Sequence, residues 1–166
     1  HIKADSTYNN IPIVVFGLSM GGATAINSMG EIPEIDGLIS LSAFSSWEDV
    51  FYEQMASQST SFLATIVKPF VSIVAFVKYK VNVWSLNPVD GIKRLGNRPA
   101  LLMHSKEDTQ VPYSNFERII HHAPLHVKTF VRQGDKHFII ERFTEPEKDI
   151  EYTTAILEFL NSNFSK

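Results

Sequence analysis

The sequence predicts an α/β fold built on a parallel sheet. Short apolar runs rich in β-branched residues alternate four times with segments of helical length, the pattern of repeated βα units. The chain has 166 residues and 44% hydrophobic content, enough for one domain with a real core. A serine, two acids and a histidine fall just past the ends of the apolar runs. That is the edge at which open α/β sheets gather their ligands.

The elements follow in order. "IPIVVF", residues 11–16, reads as a strand buried on both faces. Residues 20–30 read as a helix with Ala23, Ala25, Ile26 and Met29 as its bulk and Gly30 at its end. "DGLISLSA", residues 36–43, is a second strand. "FSSWEDVFYEQM" starts another helix, with Ser46 as its cap ahead of Glu48 and Asp49. Residues 99–104, within "RPALLMH", form a third strand, and Pro112 opens the helix "PYSNFERIIHHA" at its first turn. "LHVKTFV", residues 125–131, is the fourth strand. A last helix runs from Glu147 to Asn161 with Ile150, Thr154, Leu157 and Leu160 on one face.

Residues 60–88 are different: long, very apolar and carrying "SFLATIVKPFVSIVAFVKYKVNVWSLNP". Lys68 and Pro69 interrupt the stretch, and the next apolar run ends at Lys78, short of the ~20 residues a membrane span needs. The expectation is an insertion over about residues 47–87 whose helices cover an apolar cleft; core packing is the alternative. Phe70, Val74 and Val77 are its candidate pocket residues.

Composition removes several function classes. Formal net charge is −3 with Lys and Arg scattered, so no nucleic-acid footprint is present. The absence of cysteine excludes disulfides, thiolate metal sites and a cysteine nucleophile. No His, Asp and Glu cluster has metal-ligand spacing, so neither metal nor other cofactor is expected. The start "HIKADSTYNN" lacks a signal-peptide pattern and does not begin with Met, which suggests a start inside a longer product or after a processed or engineered boundary. No compartment follows from this.

"GLSMG", residues 17–21, matches G-x-S-x-G. The pattern is weak alone, but Ser19 sits between an expected strand and an expected helix, which is the context a nucleophile elbow requires. Gly17 and Gly21 would avoid clashes where the helix leaves the strand, and Gly22 would let that helix approach the sheet. Phosphate-binding turns fail here, because neither G-x-G-x-x-G nor Gly-Lys-Ser/Thr is present. The bland alternative is a glycine-rich turn with an incidental serine.

A serine needs a base, and the base needs an orienting group. Asp108 follows the third strand in "MHSKEDTQVP", and His137 follows the fourth in "VRQGDKHF". The order Ser19, Asp108, His137 suits this architecture. Glu107 competes with Asp108, while Asp135 is expected to cap or brace its loop. His104, at a strand end, is a candidate to line the pocket. His121, His122 and His126 lie away from the expected edge.

The chain resembles the C-terminal portion of an α/β-hydrolase, in the broad group of serine esterases and prolyl-oligopeptidase-like or serine-aminopeptidase-like enzymes. "VVFGLSMGGATA" is similar to that family's elbow strand and helix, "PALLMHSKEDTQVPYSN" to its acid segment and "GDKHF" to its histidine loop. The resemblance implies Ser19 as nucleophile, Asp108 as orienting acid, His137 as base and the Met20 N–H as one oxyanion donor. It places the insertion where the family carries a lid.

There is one large departure. Only ten residues precede the elbow strand here, where the family has several strands and helices, including the loop that gives the second oxyanion donor. The resemblance therefore implies a missing N-terminal part as partner to the exposed sheet edge, with self-association through that edge when the part is absent. The implied activity is hydrolysis of a small-molecule ester or a peptide through an acyl-enzyme, esterase before peptidase. A non-catalytic binding or interaction module of the same fold is the alternative from another class.

Overall fold

The computed structural model describes residues 5, 8, 10–50, 53, 77–78 and 87–165. Among these residues the sheet is four-stranded and parallel, in the order β1 (Val14–Leu18), β2 (Gly37–Leu41), β3 (Ala100–Ser105), β4 (Lys128–Arg132). The helices are α1 (Met20–Glu31), α2 (Pro88–Lys93), α3 (Tyr113–His122) and α4 (Ile150–Phe164).

Side chains alternate across the sheet and split the core in two. Leu38, Ala100 and Leu102 face α1, α2 and α3, meeting Ile26, Met29, Ile92, Phe116 and Ile119. Ile39, Leu41, Leu101 and Met103 face α4, meeting Tyr152 and Phe159. β2 and β3 are central and fully buried, which explains their near-continuous apolar sequences.

Five expectations need correction. β1 is not buried on both faces: it lies at the sheet edge, and Phe16 is 47% exposed. The fourth strand begins at Lys128, leaving Leu125 fully exposed. The last helix starts at Ile150, because Pro146–Lys148 form a separate 3₁₀ turn and Asp149 caps α4 through the Tyr152 N–H. Its buried face carries Tyr152 and Phe159, while Ile150 and Leu157 point to solvent. Pro112 takes the position before the first helical residue of α3 rather than its first turn.

Most of the expected insertion, including Phe70 and Val74, lies outside the described residues. Its start is described: Ser46 Oγ accepts from the Asp49 N–H at 3.0 Å, capping a helical turn at 47–50. The beginning of the insertion is tied to α3. Buried Asn115 accepts from the Ser45 N–H at 3.0 Å and donates to Glu53 at 2.7 Å. Arg118 binds Glu53 at 2.9 Å. Among the described residues no helix is long and apolar enough to cross a membrane.

Candidate active site

β1 ends at Leu18, α1 begins at Met20, and Ser19 alone makes the reversal. Its backbone sits at φ 53° and ψ −119°, a conformation that L-residues rarely adopt and that persists only where surroundings enforce it. Those surroundings are visible. The Ser19 N–H donates to the Leu41 carbonyl at 2.8 Å, and its carbonyl accepts from the Ala23 N–H at 3.0 Å.

The glycines divide in their roles. A Cβ on Gly17 would lie 2.1 Å from the Gly21 carbonyl oxygen, so no side chain fits there. A Cβ on Gly22 would come within 2.8 Å of both the Leu41 carbonyl and Ser40 Oγ, so α1 lies directly on β2. Gly21 differs from expectation, since a Cβ there meets nothing within 4 Å. Its backbone crowds Gly17; its own lack of a side chain relieves no contact.

Asp108 lies in the turn after β3. Its Oδ1 accepts from the N–H groups of Gln110 (2.8 Å) and Val111 (2.9 Å), closing an Asx turn. Its Oδ2 lies 2.8 Å from His137 Nδ1, with both side chains buried. Burial pushes the Asp108 carboxyl up. The His137 hydrogen bond and the two backbone N–H groups outweigh burial and hold the group below the ordinary aspartate value.

Ser19 and His137 open onto one cavity of about 200 Å³. Met20, Phe44, Trp47, Val50, Gln110 and Val111 complete its lining. The Phe44 and Trp47 rings stand 4.7 Å apart and give it an aromatic wall. These two residues escaped the sequence reading, although their place just past the end of β2 marks the same sheet edge. Val77 is exposed and does not line this cavity.

The competing groups fall elsewhere. Glu107 accepts a hydrogen bond from the Gly134 N–H, so it does the loop bracing expected of Asp135, which is exposed. His104 does not line the cavity. It is wholly buried beside Tyr113 and Phe116, with Nε2 2.9 Å from the Val111 carbonyl and 3.6 Å from Asp108 Oδ2. Burial pushes the His104 imidazole below its ordinary value, against the opposing pull of Val111 and Asp108. The neutral ring therefore donates to Val111 and backs the acid turn. His121, His122 and His126 are all exposed, at the end of α3 and just beyond it. Among the described residues no cluster of His, Cys, Asp and Glu is arranged to hold a metal.

No family model and no curated protein matches the sequence. Solved structures do match. An esterase from Pyrococcus furiosus aligns with 98% of this chain and 58% of its own, at 23% identity and TM-score 0.63. An acylaminoacyl peptidase from Pyrococcus horikoshii aligns with 99% of this chain and 26% of its own, at 18% identity and TM-score 0.69. A puromycin hydrolase aligns with 97% of this chain and 23% of its own, at 16% identity and TM-score 0.68. The chain thus spans 58% of the esterase and about a quarter of the other two. With its four parallel strands and flanking helices, the chain has the α/β-hydrolase fold.

Proposed function

We propose that this chain carries the nucleophile, acid and base of a serine hydrolase that cleaves an ester or amide bond through an acyl-enzyme, with esters as the favoured substrates. One observation carries the reading. Ser19, held in a strained strand-to-helix turn, shares a cavity with His137, whose Nδ1 is engaged by Asp108 at 2.8 Å.

The chemistry follows from that pairing. With the His137 Nδ1–H donated to Asp108, the neutral ring presents a free lone pair at Nε2. Ser19 Oγ attacks the substrate carbonyl carbon as its proton passes to Nε2. The carbonyl π electrons move onto oxygen. Collapse of the tetrahedral intermediate breaks the bond to the alcohol or amine, which leaves with the proton from His137. Water then attacks the acyl-enzyme by the same route and frees the acid and Ser19. Asp108 stays ionised and stabilises the imidazolium.

Met20 is the candidate oxyanion donor. It borders the cavity as the first residue of α1, where a helix N–H has no intrahelical acceptor. A second donor would come from a segment beyond this chain. That segment would also cover the outer edge of β1, which pairs only with β2 among the described residues. A peptidase is the second reading, favoured by the likeness to the acylaminoacyl peptidase. Phe44, Trp47 and Val50 suit an apolar acyl or aromatic group in either case.

The test compares residues 1–166 alone with the same chain supplied with its N-terminal part. Loss of one oxyanion donor typically slows reaction on the order of 100- to 1000-fold. The chain alone is expected to self-associate by light scattering and to be nearly inactive on p-nitrophenyl acetate, and the completed protein to hydrolyse it. A monomeric chain that is fully active alone would show that no donor is missing. A completed protein inert toward esters and peptides would favour a non-catalytic module.

A further inference from the structure

His137 lies on an irregular loop after β4, and a ring on such a loop is placed only as well as its backbone is held. Two buried serines hold it. Ser42, just past the end of β2 and 0% exposed, donates its hydroxyl to the carbonyl of His137 itself. Ser105, the last residue of β3 and 1% exposed, donates to the carbonyl of Lys136 at 2.6 Å. Neighbouring strand ends thus grip consecutive carbonyls at the residue that carries the base.

Ser42 carries a further mark. Its φ is 51°, in the left-handed region that glycine enters freely and a serine does not. Its N–H continues the sheet by donating to the Met103 carbonyl at 2.8 Å, so the neighbouring backbone is fixed. A buried hydroxyl and a buried carbonyl each lose by standing unpaired, and the Ser42 bond satisfies one of each. Glycine would suit the backbone better but would leave the His137 carbonyl without this donor. The rest of the loop is fastened too, by Glu107 on the Gly134 N–H and by Arg132 Nη1 on the Ile139 carbonyl at 2.9 Å.

We propose that Ser42 and Ser105 are positioning residues, a two-hydroxyl clamp that sets the His137 imidazole against Asp108 and toward Ser19. This deepens, and rests on, the reading of His137 as general base. Neither serine is given contact with substrate, since neither borders the cavity.

The test uses Ser42→Gly, which relieves the backbone and removes the hydroxymethyl side chain, and Ser105→Ala, which removes only the hydroxyl, both in the full-length protein. Two readouts are taken: ester hydrolysis, and the low-field proton resonance of His137 Nδ1–H. Both variants should fold, with Ser42→Gly melting close to the parent because relief of the left-handed backbone offsets the lost hydrogen bond. The Nδ1–H resonance should broaden or shift, and kcat should fall on the order of 10- to 100-fold with KM little changed. Ser105→Thr, which restores a hydroxyl, should recover most of the loss. An unchanged resonance in both single variants and in the double variant would overturn the clamp, even if the parent proved not to be an esterase. So would unchanged kcat in all three. A parent that shows the Nδ1–H resonance but no turnover would instead count against the catalytic reading, and the resonance would still decide the clamp.

Discussion

His137 Nδ1 lies 2.8 Å from Asp108 Oδ2, although 29 residues separate them and they sit on loops after different strands. The β3–β4 pairing brings the loops together: Ser105 stands opposite Arg132 in register, so both strands end at one level. The Lys106 N–H then donates to the Arg132 carbonyl at 2.9 Å and the Glu107 N–H to the Gly134 carbonyl at 3.1 Å, carrying the acid turn alongside the histidine loop.

On the proposed reading, that pairing makes Asp108, rather than Glu107, the acid that orients His137. Asp108→Asn keeps the shape but presents an amide, which favours the wrong histidine tautomer. We expect kcat to fall on the order of 10⁴-fold. Glu107→Gln, which can still accept from the Gly134 N–H, should lose under about tenfold. Steady-state kinetics on an activated ester checks both, and a larger loss at Glu107 would reverse the assignment.

Asp149 should dominate acid stability. Arg132 binds it through two nitrogens at 2.6 and 2.7 Å, and its side chain is 4% exposed. The Arg132 hydrogen bonds hold its carboxyl far below the ordinary aspartate value, against the opposing effect of burial. A carboxyl lowered in the folded state stabilises above its unfolded value, and that contribution fades as pH falls through the folded one. Stability should therefore decline below about pH 4. Asp149→Ala leaves the mostly buried Arg132 guanidinium with only the exposed Glu151 carboxylate at 3.2 Å and the Ile139 carbonyl as hydrogen-bond partners, and should cost at most about 3–5 kcal/mol at pH 7, with a flatter acid limb in urea titrations. A cost under about 1 kcal/mol would show the pair to be incidental.

The elbow glycines should respond in opposite ways. Gly17→Ala drives a methyl into the Gly21 carbonyl and should abolish folding or displace α1. Gly21→Ala meets open space and should leave the melting temperature unchanged or raised, since alanine suits a helix better by about 1 kcal/mol. Thermal melts of both variants distinguish them, and equal destabilisation would mean the turn is built differently.

Much of the candidate site's geometry is legible in the sequence because tight backbone geometry leaves residue signatures. Gly17 and Gly22 mark the turn around Ser19, and Asp108 and His137 follow the next strands in the order the fold places along one edge. Other features leave no such signature. The apolar run at β1 reads like that of β2, yet only neighbours in space decide burial, and among the described residues β1 pairs on a single side. The α4 face is not legible because Ile150 and Leu157 are apolar residues that point outward, while Tyr152 and Phe159 do the packing. His104 looked like a pocket residue by position, but the pleat turns it toward α3, where Tyr113 and Phe116 enclose it. Ser42 and Ser105 read as ordinary strand-end serines, since their partners lie on a loop 95 and 31 residues further on.

On the proposed reading, Ser19 is a nucleophile activated by His137. Intact-mass analysis of the full-length protein after exposure to a fluorophosphonate probe tests it most directly. A single covalent adduct is expected, absent in Ser19→Ala and slowed by several orders of magnitude in His137→Ala. An adduct that persists in Ser19→Ala, or full-rate labelling of His137→Ala, would contradict it.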